Sequence, residues 1–301
     1  YKRFYGQRRK SSMKFDLKIY SDDKKKKNHY HKKETSYSWE KRQIFFAKKK
    51  LKAIIILLSL ILIYYFASNI TGFKDLKAIF KFPLAIAWLI KNFIPDNESL
   101  KHIPIILKTL GETCVIAASA TTAAAFFALI LALLGSQTTG INKPFQIILT
   151  LIASFLRNIP LVAWAMLLLF SFKQNNFTGF LALFIITLGH LVRAFKEMIE
   201  ETSEESFTAL RAAGVPYFPA LFNAVFPSIA PGLVSWLLYT VETNVRDSAL
   251  IGILTGTGIG FLFNLYFKSF RYNSAGLIIL CLVIIVLLID ILSNKIRRIL
   301  L

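Results

Sequence analysis

Residues 53–70, from Ala53 to Ile70, form an apolar run with no charged side chain. A helix needs about 20 apolar residues to cross the hydrocarbon core of a bilayer, so this run is of crossing length. Five further apolar stretches follow, at residues 113–135, 147–170, 177–192, 228–245 and 275–293. Lipid offers no partner for peptide N–H and C=O groups, so spans of this kind must be helical or close into a barrel. The reading is an all-α integral membrane protein with about six transmembrane helices. Composition agrees: 55% of residues are hydrophobic and 18% charged, where a soluble domain usually carries about 25% charged residues. A mixed segment punctuated by Pro83, Pro95 and Pro104 follows the first run, and its stretch Phe82–Ile90 is too short to cross and reads as interfacial. The segment 71–108 as a whole reads as an extracytoplasmic or interfacial connection, with the core of the protein in 109–301.

Charge then orients the spans. The chain carries 37 Lys and Arg against 17 Asp and Glu, for a net charge of +20, and about half of the basic residues precede Ala53. The segment 1–52 reads as a disordered, basic cytoplasmic tail drawn to anionic membrane lipid, with a short interfacial helix around Trp39–Phe46. Nucleic-acid binding is the rival reading of such a tail, but no recognition motif accompanies it. About fifty polar residues precede the first apolar run, and no signal peptide is legible in them. The basic tail and the C-terminal cluster Lys295, Arg297 and Arg298 both belong on the cytoplasmic side by the positive-inside rule. That requires an even number of spans. Residues 249–267, apolar but interrupted by Gly252, Gly256, Gly258 and Gly260, therefore read as a re-entrant or interfacial element rather than a seventh crossing. Lysines 74, 77, 81, 91, 101 and 108 would then lie outside, against the rule.

Chemistry is sparse. Cys114 and Cys281 lie in apolar runs and define neither a disulfide framework nor a metal site. The four histidines are scattered, and no catalytic triad or ligand spacing is present, so no cofactor is expected. A membrane enzyme acting on a lipid phosphate would need paired polar groups at one face, which the sequence does not offer. Gly256-Thr257-Gly258-Ile259-Gly260 lacks the strand–turn–helix context of a nucleotide loop. Arg157 stands out. A charge within a span costs roughly 2.5–3.5 kcal/mol on insertion scales and normally faces a cavity or a partner. It either eases passage of an anion, since guanidinium matches phosphate-like oxygens, or pairs with Glu242. Glu242 and Arg246, four residues apart, either pair along one helix or place Arg246 at an outer mouth. His190 and Arg193 read as anchors at the end of a span.

The connection 194–227 opens with Glu197, Glu200, Glu201, Glu204 and Glu205 and ends at Pro227. Gly214 and Val215-Pro216 predict a helix, a turn and a second helix. The segment resembles the cytoplasmic loop of ABC-importer permeases, of the form E-A-A, three residues, G, nine residues, I-x-L-P. Thr208-Ala209-Leu210, Gly214 and Pro227 stand at that spacing, with Thr208, Leu210, Ala224 and Phe226 departing from the pattern. Further stretches resemble the phosphonate-transport branch in the same order: Glu112-Thr113, Leu156-Arg157-Asn158-Ile159-Pro160, Tyr239–Arg246 and Leu254–Gly260.

The resemblance covers residues 80–300. It implies a permease subunit of an ATP-driven importer for a phosphonate or related small phosphorus-containing anion. A phosphorylated vitamin such as thiamine phosphate remains open as the solute. The implied partners are a second copy of the chain, an ATP-binding subunit and an extracytoplasmic solute-binding protein. Arg157, Asn158, Glu242 and Arg246 fall to the pathway. Glu205, Thr208, Ala209, Arg211, Ala213, Gly214 and Pro227 fall to ATPase coupling.

Overall fold

The computed structural model describes residues 45–46, 48–72 and 75–300. The expected disordered tail, and all but Phe45 and Phe46 of the expected interfacial helix, lie outside the described residues. Two units divide at Pro83, comprising residues 1–83 and 84–301. In the first unit α1 (Lys48–Thr71) begins five residues before the apolar run itself. Its 24 residues extend about 36 Å, and its large apolar side chains are exposed on every side. A helix apolar all round is one that lipid solvates.

Helix α2 (Asp75–Phe93) carries Pro83 and leads into the second unit. There Asp96 caps the short α3 (Asn97–Leu100), its carboxylate accepting from Ser99 N–H at 2.8 Å while Ser99 Oγ accepts from Asp96 N–H at 2.9 Å. The reciprocal pair satisfies two donors that a helix start leaves open. The exposed Asp96 carboxyl is held below the usual carboxylate range, chiefly by the Ser99 amide.

The core of this unit is α4 (Ile103–Gly135), α7 (Asn176–Ala212) and α9 (Phe226–Thr255). On α4, Ala117, Ala120, Ala124, Ala128 and Ala132 are wholly buried, at helical spacing on one face. Small residues let membrane helices approach closely, which matters because lipid supplies little hydrophobic drive between them. Leu191, Phe195 and Ile199 of α7, with Val225 and Ile229 ahead of and within α9, pack with that alanine face.

Several elements differ from the sequence reading, each for a local reason. The helix holding residues 113–135 begins at Ile103. The stretch 147–170 is no straight rod: α5 (Lys143–Asn158) and α6 (Leu161–Phe172) meet at 90°. Pro160 cannot donate to the helical ladder and drives Ile159 into extended backbone, at φ −82 and ψ 126. The stretch 177–192 belongs to a 37-residue helix that runs on through the acidic segment instead of ending at Arg193.

After the Gly214 turn, α8 (Tyr217–Ala220) passes through a π-turn (Leu221–Val225) into α9 without a stop at Pro227. In the π-turn Phe226 N–H donates to Leu221 O, five residues back. That wider turn just ahead of Pro227 accommodates its missing donor.

The Gly-rich stretch does not form a seventh crossing. Helix α9 ends at Thr255 and Gly256 adopts φ +68. The 11-residue α10 (Gly258–Lys268) then extends only about 17 Å. It folds back tightly, since a Cβ on Gly260 would lie 1.8 Å from Ala249 O. Ile259 N–H donates to Thr113 Oγ1 at 2.9 Å, which ties this hairpin to α4. Helix α11 (Tyr272–Leu300) closes the unit. Among the described residues five helices are long and apolar enough to cross a membrane, or six if the bent α5–α6 pair is counted as one span.

Candidate functional site

Several polar side chains within the spans lie at or near the α5–α6 break. Arg157 sits in the last turn of α5, where a cation suits the negative end of a helix. Leu156 O, one of the carbonyls freed by the break, accepts from Trp164 Nε1 at 3.0 Å. Asn158 is exposed beside it. The Arg157 Nε is buried and has no hydrogen-bond partner.

Helix α7 crosses closely at this point. A Cβ on Gly189 would lie 2.8 Å from Arg157 N and 2.9 Å from Ala153 O. His190 follows on α7, in electrostatic reach of both Arg157 and Asp247, and Asp247 in turn of Arg246. Arg246 Nη2 pairs with Glu242 Oε1 at 3.1 Å along α9. Glu242 therefore pairs with Arg246 rather than with Arg157, and the two bracket Asn244.

Sequence reasoning took His190 for an anchor and did not single out Asp247. The available signal was that Asp247 directly follows the Glu242–Arg246 pair. Which cation it meets depends on the packing of α5, α7 and α9 and cannot be read along the chain. A belt of neighbouring polar groups thus runs from Arg157 on α5, next to Asn158 in sequence, through His190 on α7 to Asp247, Arg246 and Glu242 on α9.

Asn244 has a different task. It is 3% exposed and donates through Nδ2 to Thr121 Oγ1 at 2.8 Å and to Thr187 Oγ1 at 2.9 Å. This buried node joins α4, α7 and α9. Interhelical hydrogen bonds of this kind average about 0.6 kcal/mol in membrane proteins.

From Arg157 a cavity of about 300 Å³ extends between α4, α5 and α7 toward the end of α7 that leads to Gly214. Thr150, Ser154, Arg157, Arg193, Lys196, Glu197 and Glu200 supply its polar lining.

At that end the chain turns. Gly214 N–H donates to Arg211 O at 3.1 Å and Val215 N–H to Leu210 O at 3.1 Å, with Gly214 at φ +86. This is the Schellman arrangement, in which a left-handed residue, almost always glycine, closes the helix. Leu210 and Val215 pack together on the core. Phe207 meets Tyr217 edge-on at 5.9 Å, and Tyr217 Oη donates to Thr139 O at 2.8 Å. These contacts hold the tip rigidly. Glu205, Thr208, Ala209, Arg211, Ala213 and Gly214 are all exposed on it. Pro227, also exposed, lies ten residues beyond Tyr217, about 15 Å along the next helix, and is not part of that tip.

Comparison with known proteins fits this architecture. Residues 124–301 match the family model of the binding-protein-dependent transport system inner membrane component. The phosphate-import permease protein PhnE of Mycolicibacterium smegmatis is 31% identical over 190 residues, 63% of this chain and 36% of its own length. This chain thus spans about a third of that relative. The phosphite transport system permease protein PtxC of Stutzerimonas stutzeri is 26% identical over 64% of this chain and 70% of its own. Among solved structures, an inward-facing MetNI methionine ABC transporter superposes with a TM-score of 0.60 at 18% identity, covering 67% of this chain and 98% of that one. With the family match covering more than half of its length, the chain belongs to the inner membrane components of binding-protein-dependent transport systems.

Proposed function

We propose that this permease carries a phosphonate, or a closely related small phosphorus-containing anion such as phosphite or phosphate, through the belt of Arg157, Asn158, Glu242 and Arg246. The observation that carries the reading is Arg157: an intramembrane guanidinium at a helix break, with an unpartnered Nε, beside a cavity. Guanidinium suits tetrahedral oxyanions through its planar fork of donors. Asn158, His190 and Arg246 stand exposed within the spans. Exposing such groups to lipid is expensive, so this face borders either a water-filled path or a second copy of the chain. A homodimer with the path between its halves meets both needs. The names of the relatives support a small phosphorus oxyanion over a larger phosphorylated vitamin.

The exposed tip around Gly214 is the docking element for an ATP-binding subunit, and a solute-binding protein delivers the anion from the other side. With six spans, both termini lie in the cytoplasm, as the basic clusters at each end require. Co-purification from native membranes in mild detergent tests the partners. Recovery of an ATP-binding subunit and a solute-binding protein is expected, and recovery of neither would remove the importer reading. Uptake of labelled phosphite, phosphate and methylphosphonate into cells tests the site. Arg157→Gln should reduce uptake of the permeant at least about tenfold while the complex still assembles. Unchanged uptake would show that Arg157 does not serve the pathway.

A further inference from the structure

We propose that the cavity between α4, α5 and α7 is itself a phosphate-group binding site, set by Lys196 and Arg157 and placed on the cytoplasmic side of the belt. It shares Arg157 with the proposed pathway and rests on that reading for its sidedness only. The charges lining it are unevenly matched. Arg193 is neutralised by Glu197 at 2.6 Å, and Glu200 accepts from the Gln137 backbone N–H at 2.7 Å. Lys196 and Arg157 are not paired with any carboxylate among the described residues: Lys196 Nζ donates to Thr150 Oγ1 at 3.0 Å, and Arg157 Nε donates to nothing. Counting the lining residues, three cations face two carboxylates, an excess of one positive charge.

The hydroxyls divide the work. Thr150 donates to Gln146 O at 2.8 Å and so presents only a lone pair to Lys196, holding the ammonium in place. Among the described residues Ser154, on the cavity wall, has no hydrogen-bond partner, which leaves its O–H available to a ligand. Thr150, Ser154 and Arg157 follow one another at helical spacing on α5, so all three project along one wall. Lys196 faces them from α7, six residues or about 9 Å beyond His190. A half-buried cation without a counterion is costly, and an oxyanion here would receive donors from Lys196, Arg157 and Ser154 together. The volume, about 300 Å³, lies at the lower end of small-ligand sites and suits a phosphoryl group bearing a small substituent.

Two sources present this chemistry: the free anion as it leaves the pathway, and the headgroup of an anionic phospholipid from the adjoining leaflet. The test uses the purified full-length chain in micelles, without ATPase or solute-binding protein, so that its outcome does not depend on import. Binding of ³²P-labelled inorganic phosphate is measured by equilibrium dialysis in lipid-depleted micelles. Co-purifying phosphatidylglycerol is counted by native mass spectrometry before depletion. Lys196→Gln should weaken one or both at least about tenfold. Lys196→Arg should restore them, and Lys268→Gln, which removes an exposed cation elsewhere, should leave them unchanged. Loss confined to dialysis assigns the free anion, and loss confined to mass spectrometry assigns the lipid headgroup. If Lys196→Gln changes neither measurement, or if Lys268→Gln lowers both equally, the cavity is not a phosphate-group site.

Discussion

Gly189 is where two helix backbones touch, and replacing it with alanine is a sharp test of the bundle. A Cβ there would lie 2.8 Å from Arg157 N, 2.9 Å from Ala153 O and 3.0 Å from Leu156 Cβ. Ordinary contact begins near 3.4 Å, so the α5–α7 crossing must open by about 0.6 Å, the difference between 3.4 and 2.8 Å. Two of the three atoms are backbone, so no rotamer change relieves the clash and a helix has to move. Overpacking of this kind costs about 1–3 kcal/mol. At roughly 2–4 °C per kcal/mol for a domain of this size, the midpoint of thermal unfolding should fall by about 2–12 °C.

The control is Gly111→Ala on α4, where a Cβ would meet nothing within 4 Å. Removing a helical glycine there should be neutral, or should stabilise by up to about 1 kcal/mol. The assay is fluorescence-monitored thermal unfolding of both variants in the same detergent. Because the clash falls on the Arg157 amide, Gly189→Ala should also lower uptake of the permeant, and Gly111→Ala should not. Equal midpoints for the two variants would refute the close crossing and, with it, the placement of Arg157 beside His190.

Three further predictions follow from the same geometry. At Gly214 a Cβ would meet nothing within 4 Å, but φ is +86, so Gly214→Ala should cost about 1–2 kcal/mol through conformation alone and keep ATPase association. Gly214→Trp should abolish that association with membrane insertion intact; a normal yield of complex would remove the docking role of the tip. Asn244→Leu leaves Thr121 and Thr187 without their shared partner and should destabilise by about 1–2 kcal/mol, read as a lower unfolding midpoint, whereas an unchanged midpoint would show that the node contributes nothing. The Asp96 carboxyl is held below its usual range by the Ser99 amide. Its contribution to the α3 start is therefore complete above the usual carboxylate pKa and lost as pH falls through the depressed one. The protection of the Ser99 amide, its hydrogen exchange measured against the intrinsic rate at each pH, should fall as pH drops below the usual carboxylate range in the native chain and show no such step in Asp96→Asn.

Much of this protein is written locally. Transfer of each side chain from water to lipid is nearly a property of that residue, so 53–70, 113–135 and 275–293 announce themselves as membrane segments wherever they pack. Arg157 was legible for the same reason, as a charge in an apolar run, and Gly214 because a chain reversal after a helix demands a left-handed residue. Helix ends were less legible. Hydropathy marks where lipid stops, not where the helix stops, so α7 runs on through Glu197–Glu205 without a break. Pro227 looked like a helix start until a π-turn absorbed it.

What only the tertiary structure decided is who meets whom. Sequence places Thr150, Ser154 and Arg157 on one face of α5, but nothing along the chain assigns Lys196 as the cation opposite them. Nor does it bring His190 between Arg157 and Asp247, or gather Thr121, Thr187 and Asn244 at one node. Those pairings depend on how closely α4, α5, α7 and α9 approach, which Gly189 and the alanine face of α4 control. Between helices in lipid there is little hydrophobic gradient to read from composition, so van der Waals fit and a few hydrogen bonds choose the partners. Both are properties of the packed bundle and not of any one segment.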